Sequence, residues 1–232
     1  MRKIAILDFD MTLSSRYITM DFLDYLSRNN LVSKDNYAAQ IQVEKEYHAG
    51  KVSYDEWCLK FGDLWISGLK GKIENKILLA AESFYKDYKK QIYKSSYELI
   101  NLLKTHDYHT VVLSTAASEV VNLAVKDLCV DEVFSSTLSK TKGVYDGGVQ
   151  TDFHLPQGKK ELTTQILQKY GRKNSFGFGD SSHDVEILSQ VDFPVALNPN
   201  NELLKIAKMN DWNVFYHTNI LSGVKKILDA SK

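Results

Sequence analysis

From about residue 94 onward the chain alternates short apolar runs with helix-forming stretches, and this rhythm limits its fold more than any single motif. The runs HTVVLST, SFGFGD, DFPVAL and NVFYH are separated by helical segments at about 118–128, 159–170, 183–189 and 202–208, and a last helix spans about 221–228. Strands divided by helices imply a parallel sheet with helices on both faces, a Rossmann-like α/β core. Near the start, Ile4-Ala5-Ile6-Leu7 shows no polar alternation. That suits another strand of the same sheet, covered on both sides. A helix at Tyr97–Leu103, a short strand at Glu132–Ser135 and a hairpin around Tyr145-Asp146-Gly147-Gly148 complete the pattern.

Between the first strand and this rhythm, residues 15–93 read almost entirely as helix. Phe22, Leu23 and Leu26 share a face. Ser53 and Glu56 have capping-box spacing ahead of Trp57, Phe61, Leu64 and Trp65, and Ile77, Leu78, Ala81, Phe84, Tyr85 and Tyr88 form a further stripe. The plain role of these residues is bundle core. The expected organisation is therefore a core of residues 1–14 and 94–232 carrying a helical cap of residues 15–93.

Charge balance narrows the partners. The 232 residues include 29 Lys or Arg and 29 Asp or Glu, a formal net charge of zero. This argues against a broad nucleic-acid or anionic-membrane surface. Cys58 and Cys129 lack metal-ligand or disulfide-framework spacing and read as reduced core residues. Arg2 and Lys3 precede only four apolar residues before Asp8, too few for a signal peptide or membrane span. A cytoplasmic location is expected.

Polar residues cluster where the strands stop. Asp8 and Asp10 follow the first strand, Ser114 and Thr115 end HTVVLST, and Asp180 ends SFGFGD with Asp184 one helical turn later. LPQGKKEL starts a helix with Lys159 and Lys160. Singly, these could be turn residues, caps or solvent-facing lysines. Jointly, they fall at the carboxyl ends of strands, where open α/β sheets bind ligands. Asp8, Asp180 and Asp184 converging there would repel, which a divalent cation offsets. Carboxylates with no His or Cys at ligand spacing suit Mg²⁺ rather than zinc. A lysine and a hydroxyl from Ser114 or Thr115 would face phosphoryl oxygens. Asp8 could then attack phosphorus to form an aspartyl-phosphate, with Asp10 moving the proton.

In order and spacing, DFDMTL, the Ser/Thr-ended second strand, the lysine and GDSSHD resemble the four motifs of the haloacid dehalogenase superfamily of phosphatases. The insertion between the first two motifs resembles the phosphoserine-phosphatase-like branch, and LSTAAS and FPVALNPNNEL look more like its general hydrolase members. The resemblance implies a Mg²⁺-dependent phosphatase acting on a small phosphorylated metabolite, with Asp8 as nucleophile and Asp10 as acid/base. It also implies metal contacts from Asp8, the Asp10 carbonyl and Asp180, a loop role for Thr12 and phosphate binding by Ser114. Asp184 would complete the acidic cluster and orient Lys159, which follows Gly158 directly.

Two departures bear on the substrate. Phosphoserine phosphatases carry Glu nine residues after the nucleophile, where this chain has Tyr17. They also use a cap arginine, whereas none occurs here between Arg28 and Arg172. Lys45, Lys51 or Lys60 could substitute, though without the bidentate fork. Arg16, Tyr17 and Met20, just after the first motif, are the candidate specificity residues. Rival readings are a phosphotransferase of the same fold, a phospho-acceptor or silent binding module, and a dinucleotide-binding protein suggested by Gly177-Phe178-Gly179. The last lacks the third glycine and places Asp180 where a phosphate would sit.

Overall fold

A computed structural model describes residues 3–151 and 156–231, with the backbone alone for Asp55 and Pro156. Arg2 and Leu155, both used in the sequence reading, lie outside the described residues. Strand β1 (Lys3–Leu7) is the centre of a seven-stranded sheet. It sends Ala5 and Leu7 into one hydrophobic cluster and Ile4 and Ile6 into another, so the unbroken apolar run has a physical cause in burial on both faces.

On one side β1 pairs in parallel with β2 (Tyr108–Ala117), followed by β3 (Glu132–Thr141). On the other it pairs with β5 (Phe176–Gly179), followed by β6 (Phe193–Leu197) and β7 (Asn213–Phe215). The edge strand β4 (Val144–Thr151) runs antiparallel along β3, giving the order β4-β3-β2-β1-β5-β6-β7. The chain builds outward from β1 in one direction and then restarts beside it in the other. The carboxyl ends flanking β1 therefore form the switch-point crevice.

Four helices come between β1 and the rest of the core: α1 (Ile18–Arg28), α2 (Lys34–His48), α3 (Tyr54–Leu69) and α4 (Glu74–Tyr88). The capping box forms at the start of α3, where Glu56 N donates to Ser53 Oγ (3.2 Å) and Ser53 N to Glu56 Oε2 (2.8 Å). Phe22 packs against Trp65 and Phe84, with ring centroids 6.2 and 5.3 Å away. The segment leaves and rejoins the core at one place: Ser14 bridges Ile92, Ser15 N donates to Gln91 O (2.8 Å) and Tyr93 N to Leu13 O (3.1 Å). A second tie joins it to the edge hairpin, through Gly71 N to Tyr145 O (2.8 Å) and Glu74 N to Gly143 O (2.9 Å).

Among the core helices, α5 (Lys94–Thr105), α6 (Ser118–Asp127) and α10 (Ile220–Ala230) pack on the face of Ala5 and Leu7. Helices α7 (Pro156–Tyr170) and α8 (Val185–Leu188) cover Ile4 and Ile6, and α9 (Asn201–Met209) covers β6.

Several expectations need correction. The hairpin turns at Lys142-Gly143 rather than at Gly147-Gly148, because both residues take positive φ (52° and 74°) as a tight two-residue turn requires. Tyr145 through Gly148 instead lie within β4, and β3 runs past Ser135 to Thr141. The helix expected at 183–189 is a 3-10 turn, Ser182–Asp184, followed by the single turn of α8. Cys58 is buried but Cys129, at the positive-φ residue after α6, is exposed. On α4, Ile77, Ala81, Phe84 and Tyr88 are buried whereas Leu78, about 100° round the helix from Ile77, is exposed.

Candidate active site

The peptide after β1 continues the ladder, Asp8 N donating to Phe178 O of β5 (3.0 Å), so Asp8 is placed by the sheet itself. The chain then turns sharply. Leu13 N donates to Phe9 O (2.8 Å), and Met11 takes φ 61°, a conformation uncommon for a residue with a side chain. This turn brings Thr12 back over Asp8. Its Oγ1 lies 3.1 Å from Asp8 Oδ2 and 3.0 Å from Asp180 Oδ1. One hydroxyl proton thus serves two carboxylates, donating to one at a time.

Beneath them, Lys159 Nζ donates to Asp8 Oδ1 and to Asp184 Oδ1, both at 2.8 Å, with all three residues buried. The remaining oxygen of Asp184 accepts from Asp180 N (3.0 Å), Ser181 N (3.1 Å) and Ser181 Oγ (3.2 Å). Asp184 is thereby fixed at the base of the site and holds the lysine. Gly179 makes this approach possible, since a Cβ there would lie 2.2 Å from Asp184 Cβ. Lys160 is on the outer side of α7, 3.9 Å from Glu186.

Burial pushes the Asp8 pKa up to about 6; the Asp184 charge adds to the rise and Lys159 opposes it. Asp180 is raised well above the usual carboxylate range by burial and by the charges of Asp184 and Asp8. Burial disfavours a charged Lys159, but Asp184 and Asp8 outweigh it and hold the ammonium protonated. Asp10 is pushed up to about 8, chiefly by burial, although the Ile18 amide donates to its Oδ1 (2.8 Å). Burial thus favours the protonated form of the Asp10 carboxyl.

A cavity of about 330 Å³ opens above these groups and includes Asp8, Asp10, Thr115, Lys159 and Asp180 in its wall. Ser114 is buried just behind it, its Oγ accepting from Ala116 N (3.1 Å). Of the specificity candidates, Tyr17 and Met20 line the cavity. Arg16 does not: it is exposed in the segment just before α1 and donates to both oxygens of Asp21 (2.5 and 2.6 Å), which draws it away from the site. Lys45, Lys51 and Lys60 are exposed and also absent from the wall.

The roof holds residues that the sequence reading assigned to bundle core or did not single out: Tyr47, Tyr54, Trp57, Phe61 and Trp65 from the inserted helices, with His183 and Glu202 at the side. Tyr54 stacks on His183 (centroids 3.2 Å, 20°), joining α3 to the GDSSHD turn. The available signal was aromatic density, five aromatic residues between Tyr47 and Trp65. Trp57 Nε1 and Ser136 Oγ, also in the wall, are buried without a hydrogen-bond partner among the described residues.

Comparison with known proteins agrees with this arrangement. A curated relative named histidinol-phosphatase, from Neisseria meningitidis serogroup C (strain 8013), is 24% identical over 92% of this chain and 98% of its own length. The crystal structure of a protein with unknown function from Bordetella pertussis Tohama I superposes with a TM-score of 0.80 at 19% identity, covering 92% of this chain and 98% of that one. A phosphoserine phosphatase, solved as a phospho-aspartyl intermediate analogue, has a TM-score of 0.67 at 21% identity over 97% and 98% of the two chains. The family model described as haloacid dehalogenase-like hydrolase matches residues 5–189, from β1 through α8. With most of its sheet and the acidic crevice inside that match, the chain belongs to the haloacid dehalogenase-like hydrolase family.

Proposed function

We propose that the protein is a phosphatase that hydrolyses a small phosphate monoester through an aspartyl-phosphate on Asp8. The observation that supports this most is the pairing of two carboxyl groups in opposite states. Asp8 is ion-paired to Lys159 (2.8 Å), whereas Asp10, two residues on in the same cavity wall, meets only the Ile18 amide (2.8 Å) and is pushed by burial toward its protonated form. Nucleophile and acid are thus separated by environment, as their roles demand. The relative named histidinol-phosphatase supports the same reaction class. In this reading residues 15–93 are the cap and residues 1–14 and 94–232 the catalytic core.

The first step breaks the ester bond. A carboxylate oxygen of Asp8 attacks phosphorus, and the electron pair of the scissile P–O bond leaves with the alkoxide, which takes the Asp10 proton. Asp10, now a carboxylate, then removes a proton from water. The water oxygen attacks phosphorus, and the bond to Asp8 breaks to regenerate the carboxylate. Lys159 uses two of its three N–H donors on Asp8 and Asp184, leaving one for a phosphoryl oxygen. Among the described residues Ser114 Oγ only accepts, from Ala116 N, which leaves its own proton to donate.

The acidic cluster fits a divalent cation. Asp8, Asp180 and Asp184 each bring an oxygen within 4.8 Å of the others, and no His or Cys belongs to the group. Hard oxygen donors of this kind suit Mg²⁺. Asp8, Asp180 and the Asp10 carbonyl would hold it. Asp184, already accepting from four donor groups, acts from behind through Lys159. Bound there, the ion supplies positive charge to the phosphoryl oxygens. The test is phosphate release from a panel of monoesters by the purified protein with Mg²⁺. Turnover of at least one ester, lost with a chelator and restored by Mg²⁺, is expected; no turnover of any ester would overturn the reading.

A further inference from the structure

Building on the phosphatase reading, we propose that Thr19, Ser136 and Trp57 form a hydrogen-bonding subsite for one uncharged oxygen, a hydroxyl or a carbonyl, on the alcohol part of the ester. All three line the cavity. Thr19 and Ser136 come from different parts of the chain, α1 and β3, and meet at Ala117, the last residue of β2. Ala117 N donates to Thr19 Oγ1 (2.9 Å), and Ser136 is the strand partner of Ala117. Both residues are more than nine-tenths buried, Thr19 being 8% and Ser136 7% exposed. Among the described residues Thr19 Oγ1 only accepts, which leaves its proton to donate, and Ser136 Oγ has no partner. Trp57, on α3, adds Nε1, a group that can only donate and that is also buried without a partner among those residues.

A buried donor left without an acceptor is costly, so donors gathered on one wall specify the group that lies against them. A hydrocarbon leaves them unpaired. An ammonium has no lone pair and does the same. A carboxylate would need a cation at this end, but Arg16 is held outside by Asp21, and Lys159 is engaged by Asp8 and Asp184. Glu202, the acid of the wall outside the catalytic group, belongs to α9, which covers β6 on the far side of β1. A hydroxyl or carbonyl oxygen offers lone pairs without charge. The span also fits. Ser114 and Thr115 mark the phosphoryl end of β2, and Ala117 stands beyond them, roughly 10 Å from Ser114 along an extended strand. A phosphoryl group and a chain of a few carbon atoms cover that length.

Three esters separate these groups. ω-Hydroxypropyl phosphate, n-butyl phosphate and ω-aminopropyl phosphate place a hydroxyl, a methyl and an ammonium at the same position, and the homologues one carbon longer repeat the comparison. With Mg²⁺ present, kcat/KM for the hydroxyl ester is expected to exceed that of the other two by about tenfold or more at one chain length at least, equal to roughly 1.4 kcal/mol in transition-state binding. Ser136→Ala deletes one donor, and Trp57→Phe deletes another while keeping an aromatic ring. Each is expected to narrow the advantage over the methyl ester by about fivefold. Equal turnover of hydroxyl and methyl esters, an ammonium ester matching the hydroxyl ester, or an advantage undiminished in both variants would overturn the subsite with the phosphatase reading intact. Turnover of other monoesters but of neither hydroxyl ester would do the same. Absence of phosphate release from every monoester would overturn the phosphatase reading itself, and the subsite with it.

Discussion

Replacing Gly179 with alanine tests how closely the base of the site is packed. A Cβ at this position would lie 2.2 Å from Asp184 Cβ, 2.5 Å from its Cγ and 2.7 Å from its Oδ2. Favourable carbon contacts begin near ~3.5 Å, so Asp184 must withdraw by about 1 Å or more. At that displacement the 2.8 Å bond from Lys159 leaves hydrogen-bonding range. Overpacking costs about 1–3 kcal/mol and the loss of one bond to a charged group about 1.5–3 kcal/mol, so roughly 4 kcal/mol is expected in total. The assay is urea unfolding, read as a lower midpoint at unchanged slope. In an Asp184→Gly background the collision partner is absent, and the same change should cost less than ~1 kcal/mol. A cost below ~1 kcal/mol with Asp184 present, or an equal cost in both backgrounds, would refute the packing argument.

Further outcomes are expected elsewhere. Thr12→Val removes the hydroxyl between Asp8 and Asp180 and should lower kcat about tenfold with little change in KM, since it loosens the nucleophile rather than the leaving-group pocket; a purely KM effect would contradict this. Tyr54→Leu breaks the stack on His183 and should raise KM while leaving the unfolding midpoint nearly unchanged. His217, stacked on Tyr93 and 2.7 Å from Ser95 Oγ, is held at a pKa of about 4 by burial. Its folded value lies below its unfolded value of about 6.5, so the stability tied to its neutral form is complete above about pH 6.5 and declines as the pH falls toward 4. Tm measured across that range should fall less steeply in His217→Gln than in wild type; parallel curves would remove His217 as a cause.

Much of the site was legible because its residues lie where apolar runs end. Asp8, Ser114 and Asp180 are each the first polar group after a buried strand segment, and such ends share one edge of a parallel sheet. The sequence favours Lys159, directly after Gly158, but does not decide it against Lys160; in the structure Lys159 lies between Asp8 and Asp184, and Lys160 is on the outer side of α7. The hairpin was less legible: Gly147-Gly148 is the more conspicuous turn signal, but the strand pairing fixed on Lys142-Gly143, and Asp146 accepts from Ser139 and Thr141 inside the ladder. The cavity roof was hidden for a different reason. Helical periodicity marks Tyr54, Trp57 and Phe61 as an apolar face without revealing whether protein or open space lies against it. For Arg16, adjacency to the first motif carries no information about a local partner, and Asp21, five residues on, holds it outside the cavity wall.

The most direct measurement of the central claim is a rapid acid quench of the protein mixed with a ³²P-labelled monoester and Mg²⁺, followed by identification of the labelled peptide. The expected result is label on the peptide containing Asp8, formed and lost at rates that account for turnover. Asp8→Asn is expected to lose both the label and at least ~10³-fold in kcat while keeping a folded circular dichroism spectrum. Near-normal hydrolysis by folded Asp8→Asn, or wild-type turnover with no protein-bound phosphate at any quench time, would contradict it.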